Sequence, residues 1–165
     1  MNSIIEIDNL KKIYSNGKHA LNGINVNIEK GKFFGLLGPN GAGKTTTIGI
    51  LTGLVNLTSG KIKVNGLDII KDYKKTRKMI GLSPQEINLD VFFTIRELLI
   101  FQGGYYGLSI SESKKRVDKI LFDLGLEEKA YSKARELSGG MKRRVQIAKA
   151  LIHDPEIIIL DEPTA

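Results

Sequence analysis

The sequence predicts an α/β fold in which a glycine-rich turn links a buried strand to a helix, and a mostly helical stretch precedes a closing strand. Three observations carry this. Apolar residues alternate in the first third of the chain. Short, nearly continuous apolar runs occupy 32–38 and 157–160, and a three- to four-residue spacing prevails from about Thr94 to Ala150. Alternation marks half-buried strands, short continuous runs mark strands covered on both faces, and the longer period marks helices.

Taken in order, "SIIEID" and "INVNIEKG" read as half-buried strands. "KFFGLLG" reads as a fully covered strand running into glycines and then the helix-compatible "KTTTIGILTGL". "SGKIKVNG" is a short alternating strand between glycines, and "KMIGLSPQ" a buried strand ending at Pro84. "TIRELLIFQGGYYGL", "SESKKRVDKILFDLGL" and "GGMKRRVQIAKALI" carry the helical period. Thr94 with Glu97, and Ser111 near Glu112, read as helix N-terminal signals, with Gly125 as a C-terminal stop. Phe92, Phe93, Tyr105 and Tyr106 are expected in the core of this helical region, with contact to a membrane partner as the alternative. His153 is expected to cap carbonyls at a helix end. The chain then returns to strand in "EIIIL", expected to be buried on both faces and central in its sheet.

The 165 residues suffice for one substantial core, and 41% hydrophobic with 26% charged residues is a globular balance. No apolar run approaches the roughly 18–20 residues a spanning helix needs. "MNSIIEIDNLKK" lacks the apolar core of a signal peptide. The absence of cysteine excludes disulfides and thiolate metal sites. A net charge of +7 is concentrated in clusters such as "KDYKKTRK" and "SKKRVDK". They read first as solvated helix faces, with nucleotide phosphates or an anionic membrane surface as further users of the charge.

"GPNGAGKT" spans Gly38 to Thr45 (Gly38, Pro39, Asn40, Gly41, Ala42, Gly43, Lys44, Thr45) and fits G-x-x-x-x-G-K-[ST] at every fixed position. Glycines let the backbone turn its N–H groups around phosphate oxygens, and the following helix directs its positive end at the same anion. Lys44 supplies a full charge near the β- and γ-phosphates, and Thr45 a hydroxyl for Mg²⁺. Such a loop needs an acid near the metal, and "IIILDE" supplies one: Asp161 for Mg²⁺, with Glu162 placed to polarise an attacking water. "LSGGMKRR" places Ser138 as an N-cap, with Gly139 and Gly140 open to close approach by a ligand. Two phosphate-binding devices in one chain point to a two-fold dimer with each nucleotide between two subunits.

Together "GPNGAGKT", the glutamine of "SPQE", "LSGGM" and the Walker B run "IIILDEPTA" make the chain resemble, from end to end, the nucleotide-binding subunit of ATP-binding cassette (ABC) transporters. The resemblance is strongest to ABC-2-type exporter ATPases. It implies an α/β P-loop NTPase (RecA-like) core with an N-terminal antiparallel β-subdomain and an inserted α-helical subdomain. These divide as 1–87, a helical signature part at 88–140, and a return helix with the Walker B strand at 141–165. It implies that Tyr14 stacks on adenine, that Thr46 joins the phosphate contacts, and that Gln85 contacts Mg²⁺ and senses the γ-phosphate. Ser138 and Gly140 would close on the ATP of the opposite subunit. The implied cofactors are ATP and Mg²⁺. The implied partners are a second nucleotide-binding subunit, arranged head to tail, and a membrane permease, which would hold the chain at the cytoplasmic face of the cell membrane.

No nucleic-acid partner is expected, although a soluble ABC ATPase acting on nucleic acid or the ribosome is the alternative reading. Members of the family continue past "DEPTA" with a D-loop, another strand and a switch histidine. On that comparison the fold is expected to be incomplete after the Walker B strand, the edge of that strand unpaired, and the chain a weak nucleotide binder and poor hydrolase.

Overall fold

The computed structural model describes residues 3–162. Its packing divides the chain into two compact units, Met1–Met79 and Ile80–Ala165.

The first unit is built on an antiparallel sheet in the order β2-β1-β3-β4, comprising β1 (Ser3–Ile13), β2 (His19–Glu29), β3 (Ser59–Val64) and β4 (Leu67–Asp68). The alternating apolar residues work as the sequence predicts: Ile5, Ile7, Leu10, Leu21, Ile62 and Val64 are buried. Between β2 and β3 lies α1 (Lys44–Leu51), which buries Thr47, Ile50 and Leu51. After β4 comes the short helix α2 (Tyr73–Lys78), which turns only Thr76 fully inward.

The expected strand at 32–38 does not form. Residues 33–40 have no regular structure, and Phe33 and Leu37 are 107% and 91% exposed. A strand covered on both faces must also find ladder partners for its amides. Among the described residues, no strand pairs with this segment.

The second unit combines a two-stranded parallel sheet, β5 (Ile80–Ser83) with β6 (Ile157–Leu160), and three helices: α3 (Ile95–Tyr105), α4 (Ile110–Asp123) and α5 (Gly139–Leu151). Ile95 and Leu99 of α3, Val117 and Leu121 of α4, and Val145, Ala148 and Ile152 of and just beyond α5 form one buried cluster. Capping decides the helix starts. Thr94 and Glu97 exchange side chain–backbone hydrogen bonds in a capping box, as the sequence indicates. At α4 the cap is Ser109, not Ser111, because the box places the hydroxyl three residues before Glu112. Gly125 follows α4 at φ 59°, and the amide of Leu126 donates to the Leu121 carbonyl at 2.8 Å, which closes the helix as a Schellman turn.

Three local expectations are corrected. Phe92, Phe93 and Tyr105 lie at the surface, and of the four aromatics only Tyr106 is partly buried. The apolar positions of α3 that reach the core are Ile95, Leu98 and Leu99, which leaves no inward place for these rings. β6 is not buried on both faces: Ile158 and Leu160 are exposed, since among the described residues β6 pairs only with β5. His153 does not cap the end of α5. Its Nε2 donates to the Ile80 carbonyl at 3.2 Å, and its ring stacks on Tyr106 with centroids 3.5 Å apart.

That geometry makes His153 sensitive to pH. Nε2 faces a carbonyl and carries the proton, while Nδ1 is buried without a partner. Protonation would add a charge and an unpaired N–H there. Burial accordingly holds the imidazole below its ordinary value of 6.5; the neighbouring Arg116 pushes it further down, and the Ile80 carbonyl and Asp154 oppose the shift. The unfolded chain therefore takes up this proton first as pH falls. Stability is expected to be level above the ordinary histidine value and to decline below it. In urea denaturation followed by circular dichroism, the midpoint should fall as the pH is lowered below the ordinary histidine value of 6.5, and the His153→Phe variant should lose that step. An unaltered step in the variant would refute the assignment.

Candidate functional site

In the first unit the sequence 38–46 forms a turn that ends in α1. Gly43 precedes the helix at φ 90°, a left-handed conformation that favours glycine. It also has no room for a side chain: an added Cβ would lie 2.5 Å from Leu21 Cδ2 and 2.8 Å from the Ala20 carbonyl oxygen. The turn is thus pressed against β2. No side chain caps the first turn of α1, which leaves its amide donors and positive dipole end facing the loop. Lys44 folds back over that end, and its Nζ donates to the carbonyls of Gly38 at 2.6 Å and Pro39 at 3.0 Å. A further bond, from the Ala42 amide to the Pro39 carbonyl at 3.2 Å, closes the turn on itself.

The exposed Thr45 hydroxyl lies on the first turn of α1. Thr46, one residue on, sits 3.5 Å from the Tyr14 hydroxyl, so the aromatic expected to contact a nucleotide base stands beside this helix. The Lys12 ammonium lies 4.9 Å from the Tyr14 ring centroid and donates to the Asn56 carbonyl, which holds the end of β1 in place.

In the second unit Gln85, Asp161 and Glu162 meet at the carboxyl ends of the parallel pair. The register Ser83↔Leu160 is extended by the Asp161 amide, which donates to the Ser83 carbonyl at 3.0 Å. Asp161 is buried, and Glu162 turns out of the strand at φ 47°, a sparsely populated conformation for a residue with a side chain. Gln85 Nε2 donates to the Glu162 carboxylate at 2.7 Å.

What holds these residues is Arg143, on the second turn of α5. Its Nη1 donates to the carbonyls of Pro84 (2.7 Å) and Gln85 (3.2 Å). Its Nη2 donates to those of Asp161 (3.0 Å) and Glu162 (2.7 Å). Gln146, one turn further along and buried, adds bonds to the carbonyls of Pro84 and Glu86. Neither residue belongs to a motif legible in the sequence. The signal in the sequence is a pair of polar side chains, Arg143 and Gln146, spaced i and i+3 beside the buried Val145 and Ala148.

Ser138 caps α5, accepting a hydrogen bond from the Met141 amide at 3.3 Å. Gly139 and Gly140 are exposed, and nothing lies within 4 Å of where a Cβ would stand on either. One helix therefore presents the Ser138–Gly140 corner at its start and fixes the strand ends through Arg143 a turn later. The described residues thus group Tyr14, Lys44, Thr45 and Thr46 in the first unit, and Gln85, Asp161, Glu162 and Ser138 in the second.

Loss of Arg143 should loosen the strand ends. Arg143→Ala is expected to lower unfolding stability by about 1–3 kcal/mol, the order for losing hydrogen bonds from a charged donor. Urea denaturation measures this, and an unchanged midpoint would contradict the role given to the guanidinium.

Residues 21–165 match the family model for the ABC transporter domain. Among curated proteins, the linearmycin resistance ATP-binding protein LnrL of Bacillus subtilis (strain 168) is 48% identical over 161 residues, covering 98% of this chain and 51% of that protein. The Nod factor export ATP-binding protein I of Paraburkholderia xenovorans (strain LB400) is 44% identical over 160 residues, covering 97% and 52%. The chain thus spans about half the length of the curated relatives it matches.

Among solved structures, cbiO1 from Clostridium perfringens, part of the ABC transporter complex cbiONQ, superposes with a TM-score of 0.86 at 36% identity, covering 100% of this chain and 67% of that one. The ATP-binding cassette MJ0796, solved as a dimer in a post-hydrolysis state with ADP and Pi, gives 0.85 at 32% identity, covering 97% and 74%. The α/β architecture, with its antiparallel sheet, glycine turn leading into α1, and parallel pair ending in Asp161 and Glu162, is that of these ATPase domains: the chain belongs to the ABC transporter ATP-binding family.

Proposed function

We propose that the chain is the ATP-binding and ATP-hydrolysing motor part of an ABC exporter, driving transport through a separate membrane permease. The observation that carries this reading is the convergence of Gln85, Asp161 and Glu162 at the ends of β5 and β6, in a family member whose glycine turn places Lys44 over the uncapped start of α1. The exporter part rests on relatives named for linearmycin resistance and Nod factor export.

The residues fit MgATP. Lys44, whose ammonium is bonded here to the Gly38 and Pro39 carbonyls, and the uncapped first-turn amides of α1 offer concentrated donors suited to triphosphate oxygens. Thr45 and Asp161 offer one hydroxyl and one carboxylate. Among the described residues no group of three or more histidine or acidic side chains could hold a metal ion. Such hard oxygen ligands would suit Mg²⁺, which is commonly held through one or two protein oxygens together with substrate phosphates. When bound, the metal supplies charge neutralisation between the β- and γ-phosphates.

The chain's own groups do the rest. Lys44 and the amides of the turn bind the phosphates and stabilise charge as the γ-phosphoryl group leaves. Tyr14 takes the adenine. Glu162 orients and accepts a proton from the attacking water. In this structure its carboxylate is engaged by the Gln85 amide, so Gln85, which would help hold the metal and sense the γ-phosphate, would first have to release Glu162. Ser138, Gly139 and Gly140 present an open corner for the ATP of a second copy, arranged head to tail. No helix among the described residues is long and apolar enough to cross a membrane, and attachment to the cytoplasmic face would run through the permease.

Two substitutions separate binding from chemistry. Lys44→Ala is expected to weaken MgATP binding to this chain by roughly 10- to 100-fold, the loss of a charge-assisted contact, measured with a fluorescent ATP analogue. Glu162→Gln should leave binding within about twofold and lower ATP turnover of the intact subunit by about 10²–10⁴-fold, as removal of a general base does. Full binding by the Lys44 variant would reject the phosphate site; full turnover by the Glu162 variant would reject the assigned base.

A further inference from the structure

The lysine cluster around α2 has no part in nucleotide chemistry. Residues 70–78, Ile-Lys-Asp-Tyr-Lys-Lys-Thr-Arg-Lys, hold five cations against one acid. Thr76 is buried, which fixes the helix orientation. At about 100° per residue Lys74 and Lys78 stand nearly opposite it, on the outer surface. Lys71, Lys74, Lys75 and Lys78 are all exposed. Among the described residues none of the four forms an ion pair with a carboxylate. The acid just upstream is already engaged: Asp68 accepts from the amides of Ile70 and Lys71 at 2.9 and 3.0 Å. Within this cationic surface two apolar side chains stand out to solvent, Ile70 at 62% exposed and Tyr73 at 44%.

We propose that the Ile70–Lys78 segment is a docking surface for a bilayer rich in anionic phospholipid, with the lysines meeting headgroup phosphates and Ile70 and Tyr73 entering the headgroup layer. Charge complementarity supports it: juxtamembrane lysine clusters are drawn to anionic leaflets, and an amphipathic ring sits favourably at headgroup depth. The alternative polyanion, nucleic acid, fits less well. The Tyr73 ring already carries Arg77 at 5.3 Å and Lys74 at 5.9 Å from its centroid, so a stacking base would have to displace them. The single arginine of the cluster also donates to the Gly53 carbonyl, and its fork is partly spent. An exposed isoleucine has a use in lipid and none in base stacking.

The proposal does not depend on ATP hydrolysis, and MgATP binding by the same preparations tests the nucleotide reading separately. The experiment is flotation of this chain with vesicles of neutral phosphatidylcholine, alone or containing about one-third phosphatidylglycerol, at low and high salt. The chain should float with the anionic vesicles only, and high salt should release it. Each neutralised lysine should cost roughly fivefold in partitioning, so that Lys71→Gln/Lys74→Gln/Lys75→Gln/Lys78→Gln no longer floats. Ile70→Ser/Tyr73→Ser should float measurably less, while Lys114→Gln/Lys115→Gln, in the other basic cluster, should float as the unaltered chain does. Unchanged circular dichroism confirms that the variants fold. Equal flotation on neutral vesicles, retention by the fourfold lysine variant, or displacement from anionic vesicles by single-stranded RNA at equal phosphate would each overturn the proposal.

Discussion

Two parallel strands that end side by side leave main-chain carbonyls with no further ladder amides to meet them, at the edge where α/β folds place their ligands. Here the acceptors belong to Pro84, Gln85, Asp161 and Glu162, and one side chain serves all four. The planar fork of Arg143 suits this, because its donors are fixed relative to one another and lose little freedom per bond formed. A lysine in its place would offer a point charge and no fixed geometry. The position of each candidate catalytic group in the second unit follows from this clamp: Gln85 and Glu162 are near enough to share a hydrogen bond because both chain ends are tied to the same guanidinium.

The clamp also joins two functions on one helix. α5 begins at Ser138, whose cap and adjoining glycines form the open corner proposed to meet a second copy's nucleotide. Arg143 and Gln146 follow within two turns and reach β5 and β6. A displacement of α5 would therefore be felt directly at the strand ends, with no intervening loop to absorb it. The first unit is organised differently. There Gly43, in the left-handed region and pressed against β2, leads the loop into α1, and the Lys44 ammonium bonds back to the loop's own carbonyls.

Much of this was legible in the sequence because it is local. The Thr94–Glu97 box and the Gly125 stop are decided by residues within a few positions of one another, and each forms as read; the glycine turn also runs into α1 as its spacing indicates, although the strand expected before it does not form. The serine cap of α4 lies two residues before the expected Ser111, since Ser109 and Ser111 both precede Glu112 and only the three-residue spacing of the box distinguishes them. What failed depends on partners far along the chain. An apolar run such as 33–37 becomes a strand only if another strand offers it a ladder, and the hydropathy of Ile158 and Leu160 does not say how many sides of β6 are covered. The role of Arg143 is hidden for the same reason: its acceptors lie 58 and 59 residues away on one side and 18 and 19 on the other. In sequence it is one basic residue among several.

In the proposed function, the triphosphate of ATP lies at the start of α1, where Lys44 exchanges carbonyl partners for phosphate. The most direct test is a crystal structure of the chain with Mg²⁺ and a non-hydrolysable ATP analogue. The expected result is Lys44 Nζ withdrawn from the Gly38 and Pro39 carbonyls and bonded to phosphate oxygens, with the amides of the turn directed at the same phosphates. An analogue bound elsewhere, or Lys44 still bonded to both carbonyls beside an occupied site, would contradict it.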